Sequence, residues 1–148
     1  MSTRVDLPYS VTLHVRDTCL CLHLQRSARI VARRFDEALR PLDLTNGQFS
    51  LLMSLNRPEP ARMRSVASLL AMDRTTLTAN LKPLERRKLL KIAVDPEDRR
   101  SRLLTLTDRG RALLVAAMPI WTRVHAEIDR QLAAPNPDEL RAGLRALA

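Results

Sequence analysis

Between Leu90 and Leu106 the chain drops the helical periodicity that governs most of it. Leu90-Lys91-Ile92-Ala93-Val94 and Arg102-Leu103-Leu104-Thr105-Leu106 are short, partly β-branched runs. The stretch between them, Asp95-Pro96-Glu97-Asp98-Arg99-Arg100-Ser101, is rich in turn-forming residues. Two strands around a charged tip make a β-hairpin. Elsewhere Leu, Ala and Arg abound and only three glycines interrupt them, so helix should dominate. The expected fold class is mainly α with a small β-wing.

Helix signals lie on both sides of the hairpin. Leu20, Leu24, Ala28, Val31, Phe35 and Leu39 recur at three- and four-residue steps and predict one long amphipathic helix from Asp17 to Leu39, ended by Pro41. Thr45-Asn46-Gly47-Gln48 reads as a capping box opening a second helix through Leu55, and Asn56, Pro58 and Pro60 break it. A short third helix covers Arg64 to Leu70, and Asp73 caps a fourth that runs to Lys88. Thr107 caps a long helix from Asp108 to Leu132, which Pro119 should kink because it lacks the amide the preceding turn expects. Asn136-Pro137-Asp138-Glu139 opens a last helix, with Leu140, Leu144 and Leu147 on its apolar face.

Two short helices, a tight turn and then a hairpin is the element order of a winged helix-turn-helix. The fourth helix carries the test. At about 100° per residue, Leu77, Leu81 and Leu84 gather on one side and belong to a core. The opposite side shows Thr75, Thr78, Ala79, Lys82 and Arg86, with Thr76 and Asn80 flanking and Arg74 at the N-terminal edge, small or hydroxylated near the start and basic further on. Short side chains let a backbone approach base edges, and Arg74 can grip a guanine or a phosphate. Pro83 breaks a local rule here by removing the bond to the carbonyl of Ala79. At the hairpin tip Asp95, Asp98, Arg99 and Arg100 read as charged, mobile and unfit for a core. An arginine on a thin wing suits a narrow minor groove, with Asp95 or Asp98 placed to hold it extended.

Charge agrees with this. Thirteen basic and six acidic residues lie between Arg62 and Arg111, and the other 98 residues add only twelve basic against ten acidic. A focused positive field points to a polyanion, nucleic acid before anionic membrane. A membrane-surface protein should mix its basic residues with exposed bulky apolar ones, whereas this face carries threonines. No Gly-rich phosphate loop, nucleophile motif or triad-like histidine spacing suggests an enzyme, and no cofactor is expected. No apolar run reaches the ~18 residues of a membrane span. Met1 to Ser10 shows no export signal, so the expected location is cytoplasmic.

Leu44-Thr45-Asn46-Gly47-Gln48-Phe49, then Asp73-Arg74-Thr75-Thr76-Leu77-Thr78, Leu84-Glu85-Arg86-Arg87 and Leu89-Leu90, then the wing Asp95 to Ser101 leading into Leu106-Thr107-Asp108-Arg109-Gly110, form an ordered set. Over roughly Cys21 to Asp129 the chain resembles the MarR family of winged helix-turn-helix regulators. The resemblance implies a DNA-binding lobe over 44–106 and a helical dimerisation region over 11–42 and 107–148. It implies a homodimer that binds a palindromic operator in double-stranded DNA, mostly as a repressor, and releases it on meeting a small-molecule effector or an oxidant.

The sensor is the less determined part. Cys21 falls where the hydroperoxide-sensing branch of the family keeps its reactive cysteine, and on a helical wheel it faces Leu24, Ala28, Phe35 and Leu39, hence inward. That branch activates its thiolate with tyrosines, whereas Phe35 and Asn46 stand at the matching positions here; a thiol in apolar surroundings is inert. Cys19 faces away and sits four residues before His23, a spacing compatible with metal ligation, though too few further ligands accompany it. Trp121 and His125, one turn apart, suit either an effector pocket or interface packing. The readings left open are a small ligand near Trp121 and His125, a peroxide signal through Cys21, or a merely structural thiol.

Overall fold

The computed structural model describes residues 6–148; residues 1–5, half of the stretch read for an export signal, lie outside the described residues. The element order is α1 (Tyr9–Thr18), α2 (Leu20–Leu39), a 3-10 turn (Arg40–Leu42), α3 (Asn46–Ser54), β1 (Ala61–Arg62), α4 (Met63–Leu69), α5 (Arg74–Arg86), β2 (Leu90–Val94), β3 (Arg102–Leu106), α6 (Asp108–Gln131) and α7 (Pro137–Arg145). The mainly helical fold with a small wing is what the sequence predicts.

The helix starts follow from side-chain caps. Thr45 accepts from the amide of Gln48 at 3.2 Å while the Gln48 side chain accepts from the amide of Thr45 at 3.1 Å, which completes the capping box of α3. Asn136 and Glu139 do the same for α7. Thr107 opens α6 by accepting from the amide of Gly110, and its own hydroxyl donates to the carbonyl of Lys88 at 2.7 Å. One threonine thereby ties the base of the wing to the start of the longest helix.

Two elements differ from expectation. The helix predicted from Asp17 to Leu39 begins instead at Leu20, and an unpredicted helix, α1, ends just before it at Thr18; the two are separated at Cys19, whose backbone is extended. The Cys19 amide closes α1 on Val15, and its carbonyl opens α2 by accepting from His23. The second difference is β1, two residues that extend the hairpin into a three-stranded antiparallel sheet of order β1-β3-β2. Ala61 pairs with Leu104, and Leu104 in turn with Ile92. The hairpin register sets Leu90 opposite Leu106, so the apolar positions of both strands share one face, where Leu90, Leu104 and Leu106 are buried.

That sheet face closes over a core formed by Leu44, Leu51, Leu52 and Leu55 around α3, Val66 of α4, and Leu77, Leu81 and Leu84 of α5. Leu39, Leu114 and Ala117 join it to α2 and α6. α6 runs through Pro119 without interruption. Pro119 and Val115, whose carbonyl loses its partner, are both exposed, so water can serve the orphaned oxygen.

The turn between α4 and α5 is built on a left-handed residue, Ala71, with φ of 51°. The amide of Met72 bonds the carbonyl of Ala67 and the amide of Ala71 that of Ser68, the paired bonds of a Schellman motif. Alanine accepts this conformation at a steric cost that glycine lacks. Replacement Ala71→Gly is therefore expected to stabilise the protein by about 0.5–1 kcal/mol in denaturant unfolding. Gly110 behaves oppositely. A Cβ there would lie 2.1 Å from the Leu89 carbonyl oxygen and 2.7 Å from Leu106 Cδ1. Although alanine is the better helix former by ~1 kcal/mol, Gly110→Ala is expected to destabilise by about 1–3 kcal/mol in the same measurement.

Candidate nucleic-acid interface

Three features of α5 fix its outer face. Leu77, Leu81 and Leu84 are fully buried and turn the opposite arc outward. At the helix start, the Asp73 carboxylate accepts from the amide of Thr76 and from its hydroxyl, both at 2.8 Å. These bonds hold the Asp73 carboxyl below the ordinary aspartate range, so the cap stays ionised and acceptor-only. At the far end Lys88 takes a left-handed conformation, and Arg87 reaches back to the carbonyl of Asp43 at 2.7 Å. The start of α5 is thus capped, and its far end is tied to the body.

Arg74, Thr75, Thr76, Thr78, Asn80, Lys82 and Arg86 are all exposed on the outer arc. Some of their polar groups are already engaged. The Thr76 hydroxyl serves the cap, the Thr78 hydroxyl donates to the carbonyl of Arg74 at 2.8 Å, and Asn80 Nδ2 lies 3.7 Å from Met72 Sδ. The side chains of Thr75, Lys82 and Arg86 have no hydrogen-bond or ion-pair partner among the described residues and stand ready for an external one. Ala79, whose carbonyl Pro83 cannot reach, is exposed on the same side, so the helix tolerates the proline.

The wing needs a correction. Asp95 is 4% exposed, against the expectation of a mobile tip residue unfit for a core. Its carboxylate accepts from the amide of Glu97 at 2.9 Å and lies 4.0 Å from Arg62 Nε on β1. Burial is bearable because the charge keeps a backbone donor and a cation. Asp98 accepts from the amide of Arg100 at 3.0 Å, an Asx turn. Neither carboxylate holds the side chain of Arg99 or Arg100 extended; both shape wing backbone instead. Arg99 and Arg100 are exposed at the tip, as expected.

α5 and the wing touch through Arg74, whose Nη2 donates to the carbonyl of Arg100 at 3.1 Å. Between them lies a concavity of ≈ 350 Å³ whose rim includes Arg64, Arg74, Arg100 and Arg102. The sequence reading named only two of these four. The basic excess between Arg62 and Arg111 contained the missing signal, but a wheel drawn for one helix cannot show Arg64 on α4 and Arg102 on β3 converging on it.

The sensor residues separate into two places. Trp121 and His125 stack with ring centroids 4.4 Å apart, and Phe49 continues the stack at 6.4 Å from Trp121. Beside them a cleft of ≈ 240 Å³ is lined by Val31, Phe35, Asn46, Phe49, Ser50 and Trp121. Asn46 is fixed there by Asp36, which accepts from its side chain at 2.8 Å and its amide at 2.7 Å. Cys21 is not among the lining residues. It is exposed, contrary to the inward placement read from the wheel, and Gln25 Nε2 lies 3.3 Å from its sulfur. The wheel fails because residues 20–30 are exposed apart from Leu24, so that half of α2 has no inner side within this chain. Cys19 is the half-buried one of the pair. His23 Nδ1 lies 2.7 Å from the Cys19 carbonyl, which commits that ring nitrogen to donating. Among the described residues no cluster of three or more His, Cys, Asp or Glu could hold a metal ion, and no helix is long and apolar enough to cross a membrane.

Residues 44–101 match the sequence pattern of the MarR family. The HTH-type transcriptional repressor NicR of Pseudomonas putida is 32% identical over 142 residues, covering 95% of this chain and 80% of that protein. Among solved structures, the Mycobacterium tuberculosis regulator MosR in complex with DNA is 34% identical with a TM-score of 0.79, over 87% of this chain and 92% of that one. The transcriptional repressor CouR bound to a 23-mer DNA duplex is 30% identical with a TM-score of 0.79, over 97% and 99% of the two chains. CouR bound to p-coumaroyl-CoA superposes with a TM-score of 0.75 over 86% and 90%, at 30% identity. The agreement spans the helices outside the matched segment as well as those within it, and the chain belongs to the MarR family of transcriptional regulators, which are not enzymes.

Proposed function

We propose that the chain works in the cytoplasm as a homodimeric repressor that grips a palindromic operator and releases it when a small molecule fills the cleft beside Trp121. The observation that carries this is the outer arc of α5. Three buried leucines hold it from behind, and it presents small, hydroxylated, amide and basic side chains, with Glu85 its one exposed acid. Such a face fits a major groove, where Thr75 and Asn80 reach base edges and Lys82 and Arg86 meet the flanking phosphates. Arg99 on the wing enters the neighbouring minor groove. NicR and CouR are named repressors, and MosR and CouR are described in complexes with DNA.

The division of labour puts DNA binding in residues 44–106 and dimerisation in 11–42 and 107–148. Tyr9, Val15, Leu20, Ile30, Leu144 and Leu147 support the second assignment. They are exposed apolar side chains on or next to helices that bury little within the chain, and a second copy covers them. Two α5 helices related by a twofold axis then read half-sites about one helical turn apart. The effector site is the cleft whose aromatic wall is Phe35, Phe49 and Trp121, backed by His125. It joins α2, α3 and α6, so a ligand there bears on the seat of the DNA-reading helices. CouR, solved bound to p-coumaroyl-CoA, is a relative whose ligand carries an aromatic acyl group.

The exposed thiol of Cys21 favours a second reading of the signal, oxidation by a peroxide. Two measurements test these readings. Replacing Thr75, Lys82 and Arg99 together by alanine is expected to weaken binding to the DNA upstream of the chain's own coding sequence by about 100-fold or more in mobility-shift titration, with the thermal melt unchanged. Equal affinity of parent and variant refutes the proposed docking. In the same assay, cumene hydroperoxide is expected to act alike on the parent and Cys21→Ser. Release of the parent with retention of the variant moves the signal to the thiol.

A further inference from the structure

The concavity between α4, the start of α5 and the wing is built from arginines of three different elements. Arg64 comes from α4, Arg74 from α5 and Arg102 from β3. Two of them are pinned. Arg74 Nη2 donates to the Arg100 carbonyl at 3.1 Å, and Arg102 Nη1 donates to the carbonyls of Arg99 and Ser101 at 3.0 and 3.2 Å. Each of these bonds uses one edge of a guanidinium that carries five N–H donors, so most of the fork remains available. Arg64 has no hydrogen-bond or ion-pair partner among the described residues. Met63 supplies an apolar floor, and Asp98 is the one carboxylate on the rim.

We propose that this concavity seats one backbone phosphate of the DNA, held by Arg64, Arg74 and Arg102, and that this phosphate sets the spacing between α5 and the wing. The proposal rests on the DNA-binding reading above. Its reason is electrostatic and geometric. The guanidinium groups of Arg64, Arg74 and Arg102, with Arg100 a fourth arginine on the rim, repel each other and share one nearby carboxylate, an arrangement that a bound anion relieves. Pinning Arg74 and Arg102 to wing carbonyls removes their rotamer freedom before the ligand arrives, so less entropy is lost on binding. A volume of ≈ 350 Å³ admits a phosphodiester with several waters at about 30 Å³ each. The strand that leaves the major groove under α5 passes this hollow before it borders the minor groove probed by Arg99. Asp98 opposes the phosphate and is present for the turn it makes with the amide of Arg100.

The test is fluorescence-anisotropy binding to a random-sequence duplex across a salt series, because a phosphate contact is blind to sequence. Arg64→Gln loses no internal partner, so it isolates the contact. It is expected to lower affinity about tenfold at low salt and to reduce the slope of log K against log salt by about 0.9. Arg102→Gln should do the same. Asp98→Asn keeps the turn acceptor while removing the charge, and should bind several-fold more tightly. Arg145→Gln, an exposed arginine near the end of α7, controls for net charge and, with its dimer confirmed by size-exclusion chromatography, should leave the slope unchanged. Unaltered slopes in the Arg64 and Arg102 variants, weaker binding by Asp98→Asn, or an equal slope change in Arg145→Gln each overturn the seat while leaving DNA binding intact. Failure of the parent to bind any duplex overturns the DNA-binding reading, and the seat falls with it.

Discussion

Leu77, Leu81 and Leu84 have no accessible surface, and almost everything else about the outer side of the molecule depends on that burial. Each contributes on the order of 2 kcal/mol of transfer free energy, and together they settle the rotation of α5 about its own axis. A helix rotated by one residue would present a different set of side chains outward. The caps settle the remaining freedom. Asp73 begins the helix at Arg74, Ala71 turns the chain into it, and Arg87 holds its far end to the Asp43 carbonyl. The threonine-and-arginine face is therefore presented by a rigid element rather than by a loop.

The wing obeys a similar logic with charges in place of leucines. Its tip carries two adjacent arginines that repel each other, yet it keeps a defined shape. Asp95 and Asp98 resolve this by bonding backbone amides, and Arg62 approaches both Asp95 and Glu97, the latter at 3.6 Å. Asp95 is thus a buried strut, Asp98 and Glu97 brace the turn from its exposed side, and Arg99 and Arg100 are left without a carboxylate partner among the described residues. An acidic residue in a basic surface is costly to DNA binding, and its position makes sense only because a stiff turn is worth more there than one added positive charge.

Much of this was legible in the sequence, and the gaps have physical causes. The hairpin and the caps at Thr45, Asp73, Thr107 and Asn136 are local chemistry, set by residues two to five apart, and the structure has them where the pattern put them. α1 was not foreseen because Val11, Leu13 and Val15 alternate with a period of two, and the helix buries nothing within the chain. β1 is two residues held by β3, far along the sequence, after a proline-rich break that signals only a loop. Asp95 looked like tip because a carboxylate in a turn is usually wet; its burial depends on Arg62, thirty-three positions earlier. The same limit explains Cys21. A helical wheel tells which residues share a face, and only packing tells which face is inside.

On the proposed function, the cleft beside Trp121 has to communicate with α5, and the packing offers a route. Asn46 lines the cleft and is also the first residue of α3, fixed to Asp36 of α2 by two hydrogen bonds. Leu51 and Leu52, between one and two turns further along α3, are in the same core as Leu77, Leu81 and Leu84. An aromatic ligand that parts Phe35 from Trp121 pushes on α3 at its capped end. Because the core is close-packed, α3 cannot absorb that push by compressing. It moves as a unit and carries α5 with it. The distance between the two recognition helices of a dimer is matched to one turn of DNA, so a small rotation of each lobe suffices to spoil the match. Release by this route needs no unfolding and no contact between ligand and DNA.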